Sequence, residues 1–255
     1  MVWSLGLLAA ILLPLFPLSW AFNRLLTSLP GGWSQALAVI VLPQAGLELL
    51  RFSHIAHHVP PSWRLYGGLW AVFSSLLYAF RAITAREVGI WTRLLVSSGL
   101  ALAWLAWLSG APLATVQVFA LAFCVPAALL FLLTAALTRR MGGAYLGLQG
   151  GLVVALPRLS ASLVVTALAL LGTPLFPAFF VLWRSFGQLP LAWVPLLMPL
   201  PLLWGWATGR FFQDLLYGDF RGEPMTDLGR MTSALIGLVL FASLFLNLFG
   251  GGFGA

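Results

Sequence analysis

Residues Ser28 to Phe52 read SLPGGWSQALAVIVLPQAGLELLRF. From Trp33 to Leu50 this stretch carries one acid, Glu48, and one proline, Pro43, in a background dominated by Ala, Val, Ile and Leu. A membrane-crossing helix needs about 20 predominantly apolar residues to span a ~30 Å hydrocarbon core, and the stretch meets that requirement. Seven further runs of the same kind lie near residues 2–22, 66–83, 94–109, 114–137, 158–182, 190–208 and 230–249. The breaks between them are short, the longest being Arg139 to Pro157 and Arg210 to Arg230. Backbone polar groups in lipid must be satisfied internally, so the pattern predicts an all-α polytopic membrane protein: about eight transmembrane helices forming a single domain over residues 1–255. The first run begins at Val2 without a basic leader or a small-residue cleavage site, and it reads as a retained helix.

Composition carries the same message. Of 255 residues, 61% are hydrophobic and 7% charged, with a mean hydropathy of +1.01. A soluble domain holds roughly a quarter charged residues, so soluble enzymes are excluded. All 13 basic residues are arginines, against six acids. They stand singly or in pairs at the ends of apolar runs, the pattern of anchoring to a lipid bilayer, and nucleic acid is not expected as a partner. Arg24, Arg81, Arg86, Arg93, Arg139, Arg140, Arg158, Arg210, Arg221 and Arg230 fall on one side; Arg51, Arg64 and Arg184 fall on the other. The positive-inside rule makes the first side cytoplasmic and both termini external. The single cysteine, Cys124, excludes an internal disulfide and any cysteine-based metal site.

The densest polar cluster is Glu48, Arg51, His54, His57 and His58. Spacings of three and four residues share a helix face, so the histidines with Glu48 could in principle hold one metal ion. Three histidines in the chain are too few for a di-iron site, and no histidine follows His58 to complete a haem. The expectation is therefore no metal, no cofactor and no catalytic residue, with Glu48 and Arg51 paired locally across i, i+3. Arg86, Glu87 and Arg93 sit at a helix boundary, where snorkelling is the simplest role. Asp214, Asp219, Glu223 and Asp227 share the loop before the last run and read as solvated, partner-facing groups. Prolines recur inside the runs: Pro43, Pro126, Pro174 with Pro177, and Pro195, Pro199 and Pro201. In transporters such breaks mark ion sites; elsewhere they are kinks satisfied by neighbours. Around GTPLFP (Gly172 to Pro177) the expectation is an interrupted helix buried against protein.

The order of several short stretches resembles the antiporter-like membrane subunits of respiratory complex I, Mrp-type cation antiporters, membrane-bound hydrogenases and inorganic-carbon uptake complexes. PLFPLSW (Pro14 to Trp20) is similar to the family's exit from its sixth helix, and Ser28 to Phe52 to its broken seventh helix. RLLVSSGLALAW (Arg93 to Trp104) resembles the opening of the ninth. LLFLLTAALTRR followed by GGL and PRL (Leu129 to Leu159) resembles the tenth, LALLGTPLFPAFF (Leu168 to Phe180) the eleventh, and GRFFQDLLYGDF with Asp227 and the last run the twelfth and thirteenth. The likeness spans nearly the whole chain, and its signal is the order and spacing of motifs.

By this matching the chain starts at the family's sixth helix and lacks the first five. Residues 1–83 are then part of a first repeat and 84–255 a second five-helix repeat. The family's relay positions fall on Ser19, Pro43, Phe123 and Ala127, none of which can carry a proton as the family's His and Lys do. The eighth-helix lysine falls near Trp91, with Arg93 two residues away. A buried amine can lose its proton near neutral pH, whereas a guanidinium cannot, and the chain contains no lysine. The resemblance thus implies a degenerate, non-conducting scaffold subunit of an ion-coupled complex in a bacterial inner membrane. Its expected partners are other membrane subunits, among them a full-length antiporter-like subunit, and a soluble catalytic subunit. The alternative is a transport-competent half of a split proton or cation channel, with a residual path through Glu48, His54 and Arg93.

Overall fold

A computed structural model describes residues 2–53, 59–148, 150–187, 189–220 and 225–249. The chain is an all-helical bundle: α1 (Val2–Leu12), α2 (Ser19–Ser28), α3 (Gly31–Ser53), α4 (Pro61–Ile83), α5 (Val88–Leu108), α6 (Leu113–Met141), α7 (Leu152–Ala155), α8 (Pro157–Leu171), α9 (Pro177–Gly187), α10 (Val194–Leu197), α11 (Pro199–Leu216) and α12 (Arg230–Phe249). All eight apolar runs are helical, and α3, α5, α6 and the stretch Leu191–Leu216 are each long and apolar enough to cross a membrane unaided. The protein is an integral membrane protein.

Helix α5 is the most buried of the candidate spans, packed against α4 and α6 and reaching α11 through side chains. Trp91 of α5 stacks on Phe211 of α11 with ring centroids 4.4 Å apart, and its Nε1 donates to the Ala207 carbonyl at 3.2 Å. Close approach elsewhere depends on small residues, as expected where lipid tails give helices no hydrophobic reason to associate. A Cβ on Gly32 would stand 2.7 Å from the Phe131 carbonyl oxygen of α6, and one on Gly46 would stand 3.2 Å from the Ala9 carbonyl oxygen of α1.

The prolines divide into two groups. The first run is two helices rather than one, because Pro14 and Pro17 remove two donors within four residues. The freed backbone is met by neighbours: Trp104 Nε1 donates to the Leu13 carbonyl at 3.0 Å, Trp70 Nε1 to the Phe16 carbonyl at 2.6 Å, and the Phe16 amide donates to Ser74 Oγ at 3.3 Å. The stretch resembling a broken seventh helix is by contrast one unbroken helix, α3, with Pro43 buried inside it. Pro126 likewise sits within the 29-residue α6. A lone proline removes one hydrogen bond and leaves the flanking turns to hold the helix. The sixth run is interrupted as expected: α8 ends at Gly172, whose φ of +73° is the left-handed conformation glycine favours, and α9 starts at Pro177. The inner side of that break is packed through Ala178, while Pro174 and Leu175 lie on the surface, so the break is buried on one side only.

The arginine-rich connections gather at one end of the bundle. The Val88 amide donates to the Ala144 carbonyl, Leu146 to Arg86, Gly147 to Asp214 and Gly151 to Tyr217, all at 2.8–3.2 Å. Asp227, expected to face a partner, turns back into the same end: its carboxylate accepts the amides of Arg158 at 2.8 Å and Leu159 at 3.2 Å, the first turn of α8. It caps that helix from the far side of the sequence. Partial burial alone raises the Asp227 carboxyl, but the amides of Arg158, Leu228 and Leu159 and the Arg158 charge outweigh it and hold the group below the usual carboxylate range.

Candidate functional site

Two separate sets of linked polar side chains hold the described residues singled out from the sequence. The first starts at Arg93, less than two turns into α5. Its Nε donates to the Gly89 carbonyl at 3.4 Å; its Nη1 donates to the Asn23 carbonyl at 3.1 Å and to the Thr27 hydroxyl. Asn23 continues the row: Nδ2 donates to Ser97 Oγ at 3.2 Å and to the Ser19 carbonyl at 3.0 Å. The Ser19 hydroxyl in turn bonds the Tyr78 hydroxyl of α4. The next residue of α5, Ser98, pairs with Ser75 at 3.0 Å and accepts Trp204 Nε1 at 2.8 Å. Ser19, Ser75, Ser97 and Ser98 have no exposed surface. Two elements build this row. The break after α1 lets α2 run against α5, and on α2 Ser19, Asn23 and Thr27 stand four residues apart, on one face.

The second set is at the opposite end of α3. Gln117 Nε2 of α6 donates to Glu48 Oε1 at 2.6 Å, and Arg51 Nη1 lies 3.6 Å from Glu48 Oε2, the i, i+3 pair expected from sequence. Gln44 Nε2 donates to the Gln117 carbonyl at 3.2 Å and closes the clasp between α3 and α6. Glu48 is partly exposed and Arg51 mostly so, which places the pair at the rim rather than the centre. Along α6, Gln117 and the level of Arg93 are separated by ~20 Å, so Glu48 and Arg93 do not meet. His54, the third residue named for a residual path, lies outside the described residues, as do His57 and His58. Among the described residues no three His, Cys, Asp or Glu side chains converge as metal ligands.

The four positions matched to the family's relay are all interior. Ser19 is engaged with Tyr78, and Pro43 is buried in α3. Phe123 packs against Phe119 at 5.4 Å and edge-on to Trp204 at 5.9 Å. Its ring fills the space beside Gly99, where an added Cβ would stand 2.4 Å away. Ala127, one turn on, is fully buried. Chemically the row from Arg93 to Tyr78 offers hydroxyls, the Asn23 amide and the permanently charged Arg93 guanidinium. Asn23, Tyr78, Ser75 and Trp204 escaped the sequence reading; the four-residue spacing on α2 was the available signal, and the Ser97–Ser98 pair its counterpart on α5.

No protein-family model matches the chain, and no curated protein does. Solved structures do. A chain of respiratory complex I from Thermus thermophilus with bound NADH superposes with a TM-score of 0.80 at 23% identity, over 99% of this chain and 55% of that one. A chain of the Mrp complex from Dietzia sp. DQ12-45-1b superposes with a TM-score of 0.78 at 15% identity, over 98% of this chain and 55% of that one. This chain therefore spans about half the length of either neighbour. The fold is shared with these chains of respiratory complex I and the Mrp complex, two of the assemblies whose subunits the order of motifs in the sequence resembles.

Proposed function

We propose that the protein is a degenerate antiporter-like subunit, a non-conducting membrane scaffold in a multisubunit ion-coupled complex of the complex I or inorganic-carbon uptake type. One observation carries the reading: Pro43, Phe123 and Ala127, the interior positions where the family places titratable groups, are apolar and tightly packed. An ion desolvated beside them finds no compensating partner, and an uncompensated charge near the midplane costs at least ~2.5–3.5 kcal/mol. Residues 1–83 then correspond to part of one repeat and 84–255 to the second. The partners this implies are other membrane subunits, including a full-length antiporter-like subunit, and a soluble catalytic subunit, in a bacterial inner membrane.

The row from Arg93 through Asn23 and Ser97 to Ser19 and Tyr78 favours a second reading, a transport-competent half completed by another chain. The two readings separate in Glu48→Gln and Arg93→Met, made in the assembled complex with assembly checked. The scaffold reading expects ion-coupled activity per assembled complex to match the parent in both. Loss of coupling with intact assembly in either variant establishes the channel half.

A further inference from the structure

A lateral groove of about 1420 Å³ opens between α3, α6 and α12, its foot closed by the start of α5. We propose that it holds an anionic phospholipid of one leaflet, the phosphate at the arginine-rich end and an acyl chain along the apolar wall.

Charge selects the headgroup. Arg93, Arg139 and Arg140 line one end of the groove against a single carboxylate, Glu87. Arg140 donates to the Thr226, Ala136 and Asp227 carbonyls, and Arg93 to two backbone carbonyls and a hydroxyl, all neutral; Glu87 offsets part of the Arg93 charge, and the three arginines leave this end net positive. Arg139 is exposed and has no polar partner among the described residues. Guanidinium groups match phosphate oxygens in geometry and charge. Trp33, 74% exposed on the groove wall, adds an indole of the kind that membrane proteins present to lipid.

Length selects a lipid over a spanning helix. Along α6 the groove runs from Arg140 to Val125, ~22 Å, which is half of a ~40–45 Å bilayer counted with its headgroups. Its walls there are Ile40, Leu132, Leu235 and Val239, with no charge. Below that depth α3 and α6 are clasped by Gln44, Gln117 and Glu48, so the groove ends inside the membrane. A transmembrane helix from a partner needs a seat through both leaflets, whereas a lipid needs one.

The test uses the protein extracted with its native partners in mild detergent. Native mass spectrometry compares retention of added dioleoyl phosphatidylglycerol and dioleoyl phosphatidylcholine. The expected result is preferential retention of phosphatidylglycerol, reduced about fivefold by Arg139→Gln and unchanged by Arg210→Gln, an exposed arginine outside the groove. Equal retention of the two lipids, or an Arg139→Gln variant indistinguishable from the parent, overturns the proposal. A photo-crosslinking amino acid placed at Val239 in the host membrane provides a second readout. A lipid adduct supports the proposal, and an adduct to another polypeptide overturns it.

Discussion

Arg93 is the residue whose environment departs furthest from the reading of its position. The sequence places it at a helix boundary; the structure lays it, half-buried at the edge of the lateral groove, across to α2, where it ties α2 to α5 through Asn23 and Thr27. Removing one side of a buried hydrogen-bonded pair leaves the other unsatisfied at a cost of ~1–3 kcal/mol. Asn23→Ala should therefore lower the stability of the assembled protein by about that amount, read as a drop in thermal unfolding midpoint in detergent. At Gly99 the expectation is overpacking. Alanine there meets the Phe123 ring, and a strained core substitution costs ~1–3 kcal/mol, which Phe123→Leu in the same chain should partly restore. The i, i+4, i+8 spacing of Ser19, Asn23 and Thr27 was legible in the sequence. Its meaning was not, because the partners come from residues more than fifty positions away, and only packing brings them together.

At the scale of elements, hydropathy located every long helix, though not the single turn α7, which falls in a stretch read as a break, and it did not say which prolines break a helix. Pro43 and Pro126 are each alone in their helices and are absorbed, whereas Pro14 with Pro17, and Gly172 with Pro174, end theirs. Density of lost donors decides the outcome, together with whether neighbours can supply new ones, as Trp70 and Trp104 do at the first break. The cap on α8 was equally invisible, since Asp227 lies some seventy residues past the helix start it caps. Asp227→Ala should cost ~0.5–2 kcal/mol, toward the lower end because the carboxylate is partly solvated. The pH dependence has a definite sign. With its native-state pKa held below the unfolded value, Asp227 stabilises the fold fully above the ordinary Asp range near ~4. That contribution is lost as pH falls through the depressed value. Asp227→Asn should flatten the acid limb of the stability profile measured by thermal unfolding across acidic pH.

At the scale of the whole molecule, the fold is shared with chains of respiratory complex I and of the Mrp complex. At the positions that the proposed match assigns to the relay stand a proline, an aromatic ring and an alanine, and the polar row from Asn23 to Ser98 is tied up in internal hydrogen bonds. The central claim is therefore that this interior is dry. Thiol labelling tests it most directly, in a Cys124→Ala background that removes the native buried cysteine. Single cysteines at Ser97 and Ala127, both without exposed surface, are challenged in the assembled complex in sealed membranes with small maleimide and charged thiosulfonate reagents from either side. Leu148→Cys, on the exposed connection after α6, serves as the reactive control. Labelling of the control with both interior cysteines unreactive is the predicted result. Labelling of Ser97→Cys or Ala127→Cys by the charged reagent, at a rate approaching the control, contradicts the dry interior and with it the non-conducting scaffold.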